Sequence, residues 1–243
     1  MKNIWFTSDT HYFHKNIAGS KVSKWKSGYR DFEDEKEMSR HLVKVFNQTV
    51  AEEDVLYHLG DWSFGGIQNI WNFRKQLRCK NIHLILGNHD EHIRSNKELP
   101  NVYRTGIHNQ IQYDDGSYSR ELEFIPTGFS ENIDNSEDRC YAKELFTSVQ
   151  DVLTVTHDKH TFFMSHYSHR VWYGSHKGII HLYGHSHSSL ENQPWGKSMD
   201  VGVDNAKKLL GEYRPFSIEE VIDIMSKREV KFVDNHNSKT NIR

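Results

Sequence analysis

Cysteine is nearly absent. Cys79 and Cys140 are the only two in 243 residues, too few for a disulfide framework, which points to a reducing compartment and so to the cytoplasm. No stretch approaches the roughly 18 apolar residues that signal a membrane span, and Met1 to Phe6 is too short for a signal peptide. An excess of one charge is also missing: Lys and Arg number 31 against 33 Asp and Glu, a net charge of −2 with a pI near 6.8. That balance gives no general attraction for nucleic acid or an anionic membrane and leaves only a local basic patch open. Hydrophobic residues make up 36% of the chain, a low share, yet Leu, Ile, Val and Phe together exceed the roughly 20% below which chains stay disordered. Internal repeats are lacking too, and the length suits one large domain or two small ones without covalent staples. What the chain has in plenty is histidine, with 17 residues, and histidine is the commonest metal ligand.

Short apolar runs alternate with longer amphipathic ones, the pattern of a layered α/β architecture. Lys2–Ser8, Asp54–Leu59, Asn81–Leu86, Thr161–Ser165 and Gly178–Tyr183 read as buried strands. Asp34–Val50 carries Met38, Leu42, Val45 and Phe46 at helical spacing, and Ile67–Leu77 repeats the pattern with Ile70, Phe73 and Leu77. Further on, Lys197–Val203 reads as a strand, and Ser217 with Glu220 three residues later opens a helix to about Lys227. Glu229–Val233 reads as a last strand and Asn235–Arg243 as a polar tail. Tyr113–Asp151 fits least well, mixing the turn dipeptide Asp115-Gly116 with a polar tract, and is read as an insertion made of a hairpin and a loop. Because the strands on either side end in the same kind of motif, residues 1–234 are expected to form one domain.

Those strand ends carry the chemistry. Five strands finish in metal-ligand residue types: Asp9-Thr10-His11, Gly60-Asp61, Gly87-Asn88-His89-Asp90, His166, and Gly184-His185-Ser186-His187. In layered α/β folds the C-terminal strand ends are where binding loops gather. Most blocks alone read as an ordinary turn, a capping aspartate or a stray histidine, Gly-His-x-His is stronger because it can project two imidazoles from one loop, and chance does not fill five successive strand ends in this way. Carboxylate, amide and imidazole donors without thiolates suit manganese, iron, zinc or nickel, with manganese foremost. Seven ligands are too many for one ion, whereas a bridging carboxylate with three side chains on each side holds two ions about 3.5–4 Å apart, an arrangement that serves phosphoryl chemistry.

The order Asp-x-His, Gly-Asp, Gly-Asn-His-Asp, His, Gly-His-x-His resembles the calcineurin-like metallophosphoesterase superfamily, over Ile4 to His187. A weaker tail, Met199–Asp204, is similar to the strand that often follows in small bacterial and phage members. The resemblance implies a four-layer α/β/β/α sandwich with two mixed sheets. It also implies that Asp9, His11 and His187 hold one metal, Asn88, His166 and His185 the other, that Asp61 bridges them, and that His89 is catalytic. The expected activity is metal-dependent phosphoric ester hydrolysis. His89, beside a ligand but not itself one, is placed to give the leaving alkoxide its proton, and Asp90 is placed either to orient that imidazole or to cap the following helix.

Protein serine/threonine phosphatases extend the second block to Gly-Asp-x-Val-Asp-Arg-Gly, whereas this chain reads Gly60-Asp-Trp-Ser-Phe-Gly-Gly66. Without that arginine a singly charged diester is the better substrate, nucleotide-like or otherwise small, unless Arg170 or Lys177 restores the charge from the loop after His166. Tyr167 and Arg170 in that loop, with Trp62, are candidate substrate contacts, and Tyr12, Phe13 and His14 either wall the pocket or fill space. His58, His83 and His181, inside strands, are expected to be satisfied interior side chains. A phosphomonoesterase, a nuclease that would need a basic track, and a non-catalytic metal-binding interaction module are the alternatives.

Overall fold

The structure, a computed structural model, describes residues 2–109, 123–131 and 138–232. The chain opens with β1 (Ile4–Thr7), a single-turn α1 (Lys15–Ala18), α2 (Glu35–Thr49), β2 (Val55–His58), α3 (Gln68–Arg74), β3 (Asn81–Ile85) and a single-turn α4 (Glu91–Arg94). There follow β4 (Glu98–Asn109), β5 (Glu123–Ser130), β6 (Arg139–Tyr141), β7 (Ser148–Gln150), β8 (Val152–His157) and β9 (His160–Ser165). The last part holds β10 (Ile180–Tyr183), β11 (Ser198–Asp200), α5 (Val203–Leu210), β12 (Phe216–Ser217) and α6 (Ile218–Ser226).

These strands make an α/β fold with two mixed sheets, as expected. The first sheet has the order β12-β1-β2-β3-β7, and all but β12 run parallel. The second has the order β11-β10-β9-β8, with β8 antiparallel to the rest. A third, antiparallel sheet, β5-β4-β6, lies within Glu98–Tyr141. Asp115-Gly116, most of the polar tract after Ser130, and the tail from Asn235 lie outside the described residues. None of the described helices is long and apolar enough to cross a membrane.

Side-chain alternation sorts the core into two halves. On one face of the first sheet Leu56, Ile82 and Leu84 meet Met38, Leu42 and Phe46 of α2 and Ile70 and Phe73 of α3. On the other face Phe6, Tyr57, Leu59 and Ile85 meet Phe162, Met164, Ile180 and Leu182 of the second sheet, with Phe6 and Phe162 ring centroids 5.1 Å apart. Val221 and Met225 of α6 and Ala206 of α5 complete that inter-sheet core. Both long helices begin where the sequence marks them. Asp34 accepts hydrogen bonds from the N–H groups of Lys36 and Glu37, and Ser217 with Glu220 forms a capping box. One expectation fails: Glu229–Phe232 belongs to no strand, because an alternating run reads the same whether or not a sheet edge lies beside it; here Lys231 instead places its ammonium 4.4 Å from the Trp195 ring.

The strand-borne histidines are interior side chains. His58 is fully buried and its Nε2–H donates to Thr10 Oγ1 at 2.9 Å, whose own proton goes to the Trp62 carbonyl. His181, also fully buried, accepts from the His169 N–H at Nε2 and donates from Nδ1 to the Phe163 carbonyl. His83, partly buried, pairs with Ser148. Burial pushes both His58 and His181 down to about 3. They are neutral when folded and take a proton when unfolded below pH ~6.5, so the unfolded chain binds more protons there and stability rises with pH. That contribution is complete above pH ~6.5 and falls by about 1.4 kcal/mol per pH unit for each histidine as the pH drops toward 3. Urea unfolding at pH 6.5 and pH 5 should show this loss, with a shallower slope in His58→Gln; equal stability at both pH values would contradict it.

Candidate metal centre

The two sheets bring their C-terminal ends together at one rim. Thr7 is in register with His58 on the neighbouring strand, and the ladder continues past the strands, with the Asp9 N–H donating to the Gly60 carbonyl at 2.9 Å and the His11 N–H to the Asp61 carbonyl at 3.0 Å. In the second sheet the Gly184 N–H donates to the His166 carbonyl at 2.9 Å. A parallel bridge between Ser8 and Gly202 joins the two rims. Every predicted ligand loop therefore opens on the same side.

There the donors fall into two groups, Asp9 with His11 and His187, and Asp61 with His166 and His185; within each, one donor atom per residue lies within 4.8 Å of the others. Asp61 stands between the groups. Its Oδ2 is 3.5 Å from His11 Nε2 and 3.6 Å from His166 Nε2, and its Oδ1 accepts the His89 N–H at 2.9 Å. Asn88 Oδ1 lies 3.1 Å from His166 Nε2. The seven predicted ligands are thus in one place.

These residues fit divalent cations. His166 Nδ1 faces the Leu59 carbonyl at 2.7 Å and His187 Nδ1 faces Asp204 Oδ2 at 2.7 Å; both partners only accept, so each ring carries a proton on Nδ1 and leaves Nε2 as the nitrogen that could hold a cation. Both ring nitrogens of His11 are buried without a hydrogen-bond partner. Burial, reinforced by His187, holds His11 well below its usual range, and burial also lowers His185, keeping neutral imidazoles available. Asp9 is pushed up to about 7, mainly by burial, with attraction from His187 opposed by repulsion from Asp200 and Asp61. Lone pairs and carboxylate oxygens aimed at one another in a buried rim lack the positive charge that a metal ion supplies.

The backbone is strained to aim them. Asp9, His11, Asp61, His185 and His187 all have φ between 44° and 65°, an uncommon region for residues with a Cβ, and such outliers cluster at functional sites. The motif glycines Gly87 and Gly184 act by close approach: a Cβ on Gly87 would lie 2.2 Å from Asp61 Oδ1, and one on Gly184 2.5 Å from Asp9 Oδ2.

Sequence reasoning missed the residues behind the ligands. Buried Arg30 donates to both Asp204 oxygens at 2.8 and 2.9 Å and to the Thr10 and Asp9 carbonyls. Burial raises Asp204, but the adjacent Arg30 charge and the hydrogen bonds from Arg30 and His187 outweigh it and hold Asp204 far below the usual carboxylate range. The same bond works on His187: burial lowers it, yet Asp204 and Asp9 win and raise it. Asp200 accepts from Ser186 Oγ and from the Ser188 and Gly202 N–H groups, fixing the Gly184–His187 turn. Asp204 had a signal in the tail after Asp200, whereas Arg30 had none.

Asp90 differs from both expectations. Its carboxylate accepts the N–H groups of Gly87, Asp61 and Trp62 at 2.8, 2.8 and 3.0 Å, so it braces the Asp61 turn. It makes no side-chain cap on α4, and its three bonds are to backbone, not to the His89 ring. His89 itself is exposed and lines a cleft of about 350 Å³ together with His11, Asp61, Asn88, His185 and His187. His14, Trp25, Phe64, Asn16 and Ile17 complete its lining. A smaller cavity of about 170 Å³ adjoins the other side of Phe64 and His89.

Of the expected substrate contacts only Tyr167 reaches the centre, with its ring edge-on to His166 and His185 at 5.1 and 4.7 Å. Trp62 is fully buried against Phe73 and Phe146, with its Nε1–H on the Ile70 carbonyl; the positive φ of Asp61 turns the next side chain inward. Arg170 lies over the Trp195 ring at 5.4 Å, and Lys177 lines a separate cavity. Tyr12 packs in the core against Phe73, while His14 does wall the cleft.

A model of the family described as calcineurin-like phosphoesterase matches residues 2–189. The Gene 66 protein of Mycobacterium phage D29 is 32% identical over 109 residues, 43% of this chain and 48% of that protein. An uncharacterized protein of Methanocaldococcus jannaschii is 34% identical over 93 residues, 37% of this chain and 48% of its own length. The chain thus spans about half the length of the curated relatives it matches. A protein of unknown function from Aquifex aeolicus has a solved structure that shares the fold, with a TM-score of 0.54 and 16% identity over 92% of this chain and all of that one.

Removing the carboxylate behind His187 should loosen the metal without removing a ligand. Asp204→Asn is expected to weaken divalent-cation binding by about 10–100-fold, measured by competition with a chelator in protein whose circular dichroism is unchanged. Undiminished affinity would show that the Asp204 bond does not tune the site.

Proposed function

From the premise that the chain belongs to the calcineurin-like phosphoesterase family, we propose that this metal-dependent phosphoester hydrolase is a phosphodiesterase for small, nucleotide-like diesters. Two divalent cations, manganese foremost, are assigned to Asp9, His11 and His187 on one side and Asn88, His166 and His185 on the other, with Asp61 shared. One observation carries the diester reading. The cleft at the donor cluster is lined by imidazoles, carboxylate, amide and aromatic rings and, among the described residues, by no lysine or arginine. The second block offers Trp62, Ser63 and Phe64 where a phosphate-binding arginine would stand, and neither Arg170 nor Lys177 lines the cleft. A dianionic monoester lacks fixed positive charge beyond the metals, whereas a diester carries one charge less.

Cations bound at this cluster supply positive charge against the phosphate oxygens and acidify water near neutral pH. The chain's own residues do the rest. Asp61 stands between both halves of the cluster, and its Oδ1 holds the His89 backbone N–H, which sets the backbone from which the imidazole reaches into the cleft. As water adds to phosphorus and the P–O bond to the leaving group breaks, a ring nitrogen of His89 gives its proton to the departing alkoxide. Asp90 keeps the Asp61 turn in shape through three backbone N–H groups. We further read residues 1–234 as one catalytic domain with 235–243 as a tail, acting in the cytoplasm, where the buried free thiols of Cys79 and Cys140 suit a reducing environment.

Metal-stripped protein resupplied with manganese should cleave bis(p-nitrophenyl) phosphate faster than p-nitrophenyl phosphate. The opposite order would make it a phosphomonoesterase, and no metal-dependent turnover of either would favour a binding module. His89→Ala is expected to keep its metal and lose about 10²–10⁴-fold in turnover; normal turnover would remove the proton-donor assignment. Asp61→Ala should lose activity and bound metal together, and two ions per chain in that variant would sink the bridging role.

A further inference from the structure

Three aromatic rings form the cleft wall next to His89. His14 stacks on Phe64 with centroids 3.9 Å apart, Trp25 meets the His14 ring edge-on at 5.5 Å, and Phe64 meets His89 edge-on at 5.3 Å. Trp25 and Phe64 nevertheless stay 45% and 37% exposed, so large aromatic surface faces the cleft instead of filling the core. The loop that presents Trp25 is held in place. The Trp25 N–H donates to Ser23 Oγ, the Lys24 N–H donates to Asn16 Oδ1 at 3.1 Å, and the Arg30 N–H donates to the Ile17 carbonyl at 2.7 Å. Beyond the loop, the Arg30 side chain is anchored on Asp204.

An aromatic wall in a cleft that no lysine or arginine lines among the described residues suits a flat uncharged ring rather than a polyol or a second anionic group. Its position says which part of the substrate the ring belongs to. Phe64 touches both the His14 ring and the His89 ring, and His89 serves the departing oxygen, so the wall lies on the leaving-group side of the phosphate.

We propose that the leaving alcohol carries a nucleobase, which lies against Trp25 and Phe64 while the phosphate lies over Asp61. This rests on the phosphoesterase reading above and names the group that site selects. Because stacking uses the face of the base, the wall favours a nucleoside ester over a sugar ester with little choice among bases.

The test is calorimetric binding of adenosine 5′-monophosphate and ribose 5-phosphate to the manganese-loaded full chain. The adenosine ester should bind about tenfold more tightly or better. That ratio should collapse toward one in Trp25→Ala and be largely kept in Trp25→Phe. Equal affinities in the unaltered protein, or a ratio that survives in Trp25→Ala, would overturn the proposal. Cleavage of bis(p-nitrophenyl) phosphate by the same preparation separates the two readings: turnover with equal affinities removes only the base subsite, and absence of turnover together with absence of binding removes the phosphoesterase reading and the subsite with it.

Discussion

Asp9, Asp61, Asp90 and Asp200 are all buried at one rim of the fold, and keeping a carboxylate ionised away from water costs several kcal/mol unless partners replace the lost hydration. Three of the four find hydrogen-bond donors in the chain that offset part of this cost, although burial still raises all three and pushes Asp9 up to about 7. Asp90 takes three backbone N–H groups, Asp200 takes a hydroxyl and two N–H groups, and Asp9 takes the Ser8 hydroxyl and the His185 N–H. Asp61 is the exception: Oδ1 has one N–H, while Oδ2 faces imidazole nitrogens of His11 and His166. Oδ2 of Asp61 is therefore a buried carboxylate oxygen that faces both donor groups with no N–H or O–H of the described residues upon it, the place where shared positive charge would be most useful.

Much of the fold follows from the need to hold that arrangement. Anions in a buried rim repel one another, and five ligand-bearing residues sit in left-handed backbone; neither persists without rigid support. Parallel strands supply it by delivering several chain ends in register to one edge, and the backbone ladder runs on into the ligand loops. His58 adds a second tie, since its bond to Thr10 links the loop between Asp9 and His11 to the neighbouring strand. The inter-sheet core, with Phe6 against Phe162, fixes the distance between the rims that bring His166, His185 and His187 to Asp9 and Asp61.

That these candidate ligand residues would gather at one rim was legible in the sequence because each sits within a few residues of a strand end, so local pattern and chemistry coincide. The two long helices were legible for the same reason, through Asp34 and the Ser217–Glu220 pair. What lay between distant segments was not. Arg30 and Asp204 are 174 positions apart, and nothing local to Arg30 marks it as the partner of a ligand's carboxylate. Trp62 and Phe64 show a second limit: both follow Asp61 in the same turn, yet one goes to the core and the other to the cleft, a choice made by the strained φ at Asp61 that residue types do not reveal. Asp90 shows a third, since an aspartate after Asn-His bonds equally well to an imidazole, a helix end or a turn until the turn's geometry is known.

The metal cluster and the aromatic wall share one structural element, and this bears on selectivity. The loop from Gly19 to Asp34 carries Trp25 at its exposed part and Arg30 at its buried part. Arg30 holds Asp204, and Asp204 sets the tautomer of His187, so displacement of the loop would disturb a ligand as well as the wall. The reverse would also hold: with a cation on its Nε2, His187 would donate more strongly from Nδ1 to Asp204 and so reinforce the Arg30 anchor. The His187–Asp204–Arg30 hydrogen bonds thus tie a candidate metal ligand to the loop that also carries Trp25. The cleft bears on charge selection as well: the buried guanidinium is spent on Asp204 and on carbonyls, so on the proposed reading bound metals alone would face the phosphate and uncharged rings the rest of the substrate. On that reading a singly charged ester with a flat leaving group answers both conditions, whereas a second phosphate or a free carboxylate inside the cleft would meet aromatic surface where, among the described residues, no lysine or arginine lines it.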